Sequence, residues 1–137
     1  MNPVSFLFIY AMESLVLFNM PVQITGIEQA KGQLLITVYR SAADFMQVEK
    51  AVYKAAYPVG QSGAVSVNIQ PLPAGEYAIA CFHDLNNNGI LDKNLVGIPT
   101  EPYGFSRGAR PRFRAPTWEE ARFYFSGQSV SLSLEKW

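Results

Sequence analysis

The chain has 137 residues, with 11 basic and 11 acidic side chains, one His (His83) and one Cys (Cys81). This length predicts a single domain, and 49% apolar residues exclude a disordered chain. Zero net charge argues against a nucleic-acid-binding protein, and one Cys and one His exclude an internal disulfide, a Cys-based zinc site and every two-histidine metal motif.

An apolar segment opens the chain. Residues 3–20 read PVSFLFIYAMESLVLFNM, with Glu13 as their one charged side chain. The run over residues 6–12 is too short for a transmembrane helix, which needs about 20 apolar residues. A signal peptide fits the length, although its basic start and cleavage motif are missing, and a core strand or helix is the alternative. We predict that residues 1–20 are a signal-peptide remnant and that residues 21–137 form one domain, with no other membrane association.

Alternating apolar and polar residues predict β-strands along the rest of the chain. The predicted strands cover residues 34–39, 64–70, 76–82, 121–126 and 128–134. Gly127 suits a tight turn between the last two strands. Residues 45–55 show helical spacing after Asp44, and Thr117 with Glu120 forms a capping box for a short helical turn. This pattern predicts an all-β protein, a small antiparallel β-sandwich with one or two short helical turns.

The strongest motif lies in residues 83–94, which read HDLNNNGILDKN. A calcium ion takes six to eight oxygen ligands, so alternate residues of a binding loop must converge on one point. The candidate ligands occupy positions 1, 3, 5, 7 and 9 of such a loop: Asp84, Asn86, Asn88, Ile90 (through its carbonyl) and Asp92. Gly89, at position 6, permits the sharp reversal. The sequence therefore predicts a calcium site with a dissociation constant of about 10⁻⁴–10⁻³ M, as in extracellular modules.

The loop differs from a helix-flanked calcium site. Position 12 is Leu95 where such a site has a bidentate Glu, and a predicted strand precedes the loop. The candidates for completing the coordination shell, or for supporting it from outside, are His83, Asn94 and Glu101. The alternative interpretation is a metal-free turn held by local hydrogen bonds of Asp84 and the Asn side chains.

Residues 75–106 contain three motifs in series. They are a Gly-x-Tyr turn, a His-Asp-x-Asn-x-Asn-Gly-x-Leu-Asp loop and a Gly-Ile-Pro-x-Glu-x-Tyr-Gly-Phe-Ser segment. The matching residues are Gly75, Tyr77, His83, Asp84, Asn86, Asn88, Gly89, Leu91, Asp92, Gly97, Ile98, Pro99, Glu101, Tyr103, Gly104, Phe105 and Ser106. This series closely resembles an uncharacterised bacterial family, domain of unknown function 2141, and a weaker likeness spans about residues 22–135.

The resemblance implies a location and a fold but no substrate. It implies a periplasmic or secreted protein, with a cytoplasmic location as the alternative, and a transthyretin-like sandwich. No reaction is established for the family. The chain departs from the family pattern at Arg107–Gly108, where an Asn pair is expected.

Acid–base catalysis is the alternative function of the central motif. His83, Asp84 and Glu101 suit a metal-assisted hydrolase or lyase, but adjacent strand residues point to opposite faces, so His83 and Asp84 are not expected to cooperate. We interpret His83 as a structural residue that bonds a loop carbonyl or a carboxylate. Cys81 lies in an apolar strand and is interpreted as a core residue. The sequence thus favours a protein without catalytic residues.

Residues 103–118, YGFSRGARPRFRAPTW, interleave arginines with aromatic side chains. The candidate binding surface comprises Tyr103, Phe105, Arg107, Arg110, Arg112, Arg114 and Trp118. Such residues suit an anionic glycan, a lipid headgroup or an acidic protein face. Stacking on nucleic acid fits the same composition, but zero net charge and the expected export oppose it. The alternative is a structural loop whose arginines pair with Glu101, Glu119 and Glu120.

Together these features favour a non-catalytic, extracytoplasmic β-sandwich module. In this interpretation calcium orders residues 83–106, and the ordered surface binds a glycan or a protein partner. This interpretation has two alternatives, the metal-assisted enzyme and a structural or assembly protein that uses residues 103–118. Nucleic acid is not expected as a partner.

Overall fold

The computed structural model describes residues 16–137. These residues form eight strands: β1 (Leu17–Ile27), β2 (Gln33–Tyr39), β3 (Tyr53–Pro58), β4 (Gly63–Pro73), β5 (Gly75–Asp84), β6 (Tyr103–Phe105), β7 (Phe123–Phe125) and β8 (Val130–Ser133). Within the same residues there are one short helix, α1 (Trp118–Ala121), and two 3-10 turns, at Val48–Lys50 and Ser106–Gly108. The predicted all-β class with short helical turns is confirmed.

The strands pair into two sheets. The three-stranded sheet has the order β4-β1-β8, and the five-stranded sheet has the order β3-β2-β5-β6, with β7 also paired to β5. Pairing is antiparallel throughout these strands except between β1 and β8, which run parallel. The two sheets therefore form a sandwich with one parallel pair in an otherwise antiparallel arrangement.

The hydrophobic core lies between the two sheets. Its fully buried side chains come from both of them and include Met20, Val22, Ile24, Leu132, Leu34, Ile36, Ile79 and Phe125. Since successive strand residues point to opposite sides, the alternate residues of β2 and β5 project away from this core. We call that other side of the five-stranded sheet the outer face. Part of it is covered by α1 and by Phe45, which pack on Ala78 and Phe105.

The helix predicted over residues 45–55 is wrong. Only Val48–Lys50 form a 3-10 turn, Met46 has a left-handed backbone with φ of +69°, and β3 begins at Tyr53. All six residues of β3 pair with β2 in register. Pairing along the edge of the five-stranded sheet thus overrides the helical spacing, because it satisfies the backbone groups and buries one side of β3.

The tight hairpin predicted at Gly127 is also wrong. Gly127 does adopt a positive φ of +103°, but β7 pairs with β5 and β8 pairs with β1, so the segment passes from one sheet to the other. The capping box is confirmed: the Glu120 amide donates to Thr117 Oγ1, and the Glu120 carboxylate accepts from the Thr117 amide.

Four residues of the predicted apolar segment belong to the folded domain. Residues 17–20 are the start of β1, and Met20 is fully buried in the core. Val16 is described and exposed, and residues 1–15 of that segment lie outside the described residues. Between residues 16 and 137, no helix has the length and apolar character needed to cross a membrane.

Candidate functional site

Asp84 anchors the central loop at the end of β5. Its buried carboxylate accepts hydrogen bonds from the amide of Asn88 (3.2 Å, to Oδ1) and from the amide of Gly89 (2.8 Å, to Oδ2). Oδ2 also accepts from Gln33 Nε2 at 2.9 Å, and Gln33 faces Asp84 in the register of β2 and β5. These contacts place Asp84 on the outer face and close the chain reversal, in which Gly89 has a φ of +81°.

Asp92 brings the two loop asparagines together. Asn86 Nδ2 donates to Asp92 Oδ2, and Asn88 Nδ2 donates to Asp92 Oδ1, both at 2.7 Å. The two asparagine oxygens accept backbone amides, Asn86 Oδ1 from Asn88 at 3.3 Å and Asn88 Oδ1 from Ile90 at 3.1 Å. The side chains at positions 86, 88 and 92 therefore converge in the loop, with the NH₂ groups of both asparagines facing the Asp92 carboxylate. Each carboxylate or amide oxygen has a second lone pair for a further partner.

Glu101 fastens both ends of this loop. Its carboxylate, with the residue only 3% exposed, accepts the amide of Leu85 at 2.7 Å and the amide of Asp92 at 2.9 Å. The carboxylate thereby holds the backbone just after Asp84 and at Asp92, which are the first and ninth loop positions. Glu101 acts on the loop through its backbone and not through the side chains of the candidate ligands.

The loop concentrates negative charge. Asp84 and Glu101 are buried and Asp92 is half-buried, and across residues 16–137 none of the three has a Lys, Arg or His within salt-bridge distance. Their partners are neutral N–H groups. Buried charges in proteins are normally paired or coordinate a metal, because leaving water costs several kcal/mol per ion. In the described part of the chain, no three His, Cys, Asp or Glu side chains form a metal-holding group.

The structure separates His83 from the loop. His83 follows the inward-facing residues of β5, is fully buried, and its Nε2 lies 2.6 Å from the Lys31 carbonyl oxygen. Its backbone amide donates to the Pro102 carbonyl. His83 Nδ1 is buried without a hydrogen-bond partner in the described residues. The contact with the Lys31 carbonyl agrees with the structural interpretation of His83.

Asn94 organises a second turn. Its Oδ1 accepts the amides of Val96 and Ile98, each at 3.0 Å, and its carbonyl accepts the amide of Gly97. These contacts engage the side chain in residues 94–98, away from the hydrogen bonds of Asp84 and Asp92.

The candidate acid–base set is not assembled on an accessible surface. His83 and Asp84 are both fully buried and point to opposite sides of β5, and both Glu101 oxygens are engaged with backbone amides. Cys81 is 3% exposed within the core, and burial raises the pKa of its thiol. The geometry gives no support to a catalytic role for these four residues.

An open apolar groove adjoins the loop on the outer face. It has a volume of about 740 Å³, and Leu35, Phe82, Ile90 and Leu91 are among the residues that line it. Phe82 lies two residues before Asp84 on β5 and thus on the same side of the sheet. The loop starts where the floor of the groove ends, and its residues 89–91 form part of the wall.

The Arg-aromatic segment is fixed to the sandwich at its centre. The Arg110 guanidinium lies 4.1 Å from the centre of the Tyr103 ring, donates to the Tyr103 carbonyl and pairs with Glu135. Phe105 is buried and Trp118 is half-buried against Phe45, with ring centres 6.1 Å apart. These predicted surface residues therefore anchor the segment.

The remaining arginines of the segment are more exposed. Arg114 forms a two-pronged contact with Glu120, at 2.6 and 3.2 Å, and this lowers the pKa of Glu120 to about 2. Arg107 donates only weakly to two carbonyls, at 3.4 and 3.5 Å. Arg112 is exposed, and no carboxylate in residues 16–137 lies within salt-bridge distance of it.

The structure contains one of the three ion pairs that the structural-loop interpretation expects. Glu120 pairs with Arg114, whereas Glu119 pairs at 2.7 Å with Arg122, which lies outside residues 103–118. The expected pairing of Glu101 with an arginine is wrong, because both its oxygens accept backbone amides of the loop.

Ser106 and Gly104, from the third of the three motifs, hold neighbouring elements of the fold together. Ser106 is fully buried, accepts the amide of Ile79 and donates to the Ala121 carbonyl, which ties β5 to α1. A Cβ atom on Gly104 would lie 2.3 Å from the Ser133 carbonyl oxygen.

Neither the role of Gln33 nor the groove was predicted from the sequence. Apolar residues on both sides of β5, and Leu35 with Thr37 on the second side of β2, were the signals for an apolar outer face.

Comparison with known families gives one match. Residues 22–133 fit the family described as an uncharacterized protein conserved in bacteria, domain of unknown function 2141. No curated protein and no solved structure matches the chain. The matched range includes the complete loop, Glu101 and the Arg-aromatic segment. The chain therefore belongs to this uncharacterized bacterial family.

Proposed function

We propose that the chain is a non-catalytic binding domain in which calcium orders the loop 84–92 and the surface beside it. The observation that carries the proposal is the convergence of Asn86 and Asn88 on the Asp92 carboxylate, inside a loop that Glu101 closes. Alternate positions of one short loop thus bring oxygen-bearing groups together, as a hard cation requires.

The charge of the loop supports a cation over a metal-free turn. The carboxylates of Asp84, Asp92 and Glu101 accept hydrogen bonds from amide N–H groups only, and those of Asp84 and Glu101 are buried. A divalent cation offsets this charge more strongly than the Asn N–H groups do. Its binding requires Asn86 and Asn88 to turn their amide oxygens toward Asp92. Asp84 Oδ1, Asp92 and the Ile90 carbonyl complete the set of predicted ligands.

The exposed side of the Arg-aromatic segment is the proposed partner surface. Arg112 is exposed without an acidic neighbour in the described residues, and Phe113 is 82% exposed. A cation beside an exposed aromatic ring suits a glycan or an acidic protein face. An assembly role uses the same surface.

A periplasmic or secreted location accompanies this proposal. The apolar start of the chain and the resemblance to a family of exported domains support it, and an affinity of about 10⁻⁴–10⁻³ M suits compartments with millimolar calcium. Nucleic acid is not among the proposed partners.

Calorimetric titration of calcium into the purified chain tests the metal part directly. We expect saturable binding by the wild type and at least tenfold weaker binding by Asp92→Asn. Asp44→Asn removes a carboxylate outside the loop and serves as the matched control, with unchanged affinity. Absence of saturable binding to the wild type, or equal binding by Asp92→Asn, would contradict the proposed site.

A further inference from the structure

The groove on the outer face has an apolar floor built from two rows of side chains. The register across β3, β2, β5 and β6 aligns Ala56, Leu35, Phe82 and Tyr103 in one row, and Lys54, Thr37, Ala80 and Phe105 in the next. Three inter-strand spacings make this floor about 14 Å wide. Its volume of about 740 Å³ lies in the range of small-molecule sites.

The walls of the groove are also apolar. Ile90 from the loop is 63% exposed, and Met46 and Val48 on the other wall are 43% and 52% exposed. Exposed apolar side chains that gather around one concavity mark a binding site more often than a free surface. Few lining side chains offer hydrogen bonds, so the groove does not suit a polyhydroxylated ligand.

The charged side chains that line the groove are basic, and the carboxylates of the loop lie beyond its lining. Lys54 and Lys93 line it, and no Asp or Glu is found among its described lining residues. Neither lysine has a carboxylate within salt-bridge distance in residues 16–137. Lys93 also borders a neighbouring hollow that Arg110 and Arg114 line. The groove therefore complements a molecule that combines an apolar body with a negative charge.

We propose that this groove binds a single-chain amphipathic anion, an unbranched alkyl chain that ends in a carboxylate. The alkyl chain lies on Leu35, Ala80 and Phe82, and the carboxylate meets the positive field of Lys54 and Lys93. This ligand differs in class from the glycan or protein proposed for residues 103–118. Most of the lining comes from β2, β3, β5 and β6, while Gly89, Ile90 and Leu91 of the loop supply one wall, so the ligand needs no bound metal as a partner.

The test is a fluorescence titration with 11-dansylaminoundecanoic acid below its micellar concentration. EGTA in the buffer keeps the measurement independent of calcium, which also precipitates long-chain carboxylates. We expect saturable binding with enhanced dansyl fluorescence, displaced by dodecanoate and not by dodecyltrimethylammonium. Ala56→Phe places a large ring over the floor from an exposed position of β3 and should weaken binding at least tenfold. Ala64→Phe, exposed on β4 of the other sheet, is the matched control and should bind as the wild type does.

A second pair of variants tests the charge. Lys54→Gln/Lys93→Gln should weaken binding three- to tenfold, whereas Lys31→Gln/Lys50→Gln removes two exposed charges outside the groove and should have no effect. Absence of saturable binding, equal displacement by the cationic detergent, or equal affinity of Ala56→Phe and Ala64→Phe would overturn the proposal. A wild-type dimer that Ala56→Phe disperses would also overturn it, because a second copy would then occupy the groove.

Discussion

Glu101 Oε2 accepts the amide hydrogen of Leu85 at 2.7 Å, across sixteen residues of sequence. The second oxygen of the same carboxylate accepts the amide of Asp92. One buried side chain thus holds the loop at both ends. The loop conformation is thereby determined by a residue outside the calcium motif.

Glu101→Gln tests this relationship. Glutamine keeps one acceptor oxygen and replaces the other with an NH₂ group, so one loop amide then faces a donor. We expect the free energy of unfolding to fall by about 1–3 kcal/mol, the usual effect of an unsatisfied buried group. Urea denaturation measures the change. Glu119→Gln, at an exposed position on α1, should change stability by less than about 0.5 kcal/mol. Equal stability of the two variants would show that Glu101 does not hold the loop.

Gly32 is the second position at which we expect a substitution to destabilise the domain. Its φ is +71°, and a Cβ atom there would lie 2.2 Å from the Asp84 carbonyl oxygen. Gly32→Ala should therefore destabilise the domain by about 1–3 kcal/mol, through both backbone strain and a clash with the end of β5. Gly60→Ala has no heavy atom within 4 Å of the added carbon and should be close to neutral. Thermal unfolding of both variants gives the comparison, and similar midpoints would refute the close approach.

Arg107 occupies a backbone conformation that suits asparagine. Arg107 and Gly108 have φ values of +62° and +64°, and the resemblance noted from the sequence leads us to expect an Asn pair there. Asn tolerates positive φ better than Arg does. Arg107→Asn should raise the free energy of unfolding by about 0.5–1 kcal/mol. The substitution also removes two long hydrogen bonds of the Arg107 side chain, whose loss costs little. Chemical denaturation checks this, with Arg112→Asn as a control expected to be neutral. A lower stability for Arg107→Asn would contradict the backbone argument.

The lowered pKa of the Glu120 carboxyl predicts a contribution to the stability of the fold that depends on pH. The pKa of its carboxyl is lowered from the ordinary 4.5 to about 2, first of all by the hydrogen bonds from Arg114 and next by the amide of Thr117. A group with a lowered pKa in the folded state stabilises it above the unfolded pKa. That contribution is lost as the pH falls from about 4.5 toward 2.

An NMR titration of the Glu120 side-chain carboxyl carbon measures this pKa. In Arg114→Gln the pKa should rise toward its ordinary value, and in Arg112→Gln it should stay low. An unchanged pKa in Arg114→Gln would show that the ion pair is not formed in solution.

The strands were predictable because their periodicity agrees with their environment. Residues 64–70 alternate one buried and one exposed side chain, which is what β4 does in the structure. The spacing of apolar residues alone could not show that the helix predicted over residues 45–55 is wrong. Apolar residues at intervals of three and four also fit a turn followed by an edge strand, and only the presence of β2 beside β3 decides between them.

The candidate site was predictable only where it is local in sequence. Asp84, Asn86, Asn88 and Asp92 lie within one short loop, so their spacing indicates that they converge. The hydrogen bond from Gln33 depends on the register of β2 against β5, which no local pattern specifies. The groove likewise requires four strands to be aligned before its rows of side chains exist.

We propose that calcium binds to the loop and thereby stabilises the domain. The most direct test of this proposal is the thermal unfolding midpoint in about 10 mM calcium and in EGTA. With a dissociation constant of about 10⁻⁴–10⁻³ M, calcium should add about 1.4–2.7 kcal/mol and raise the midpoint by several degrees. Asp92→Asn should lose most of this rise. Identical wild-type midpoints in calcium and in EGTA would contradict the claim.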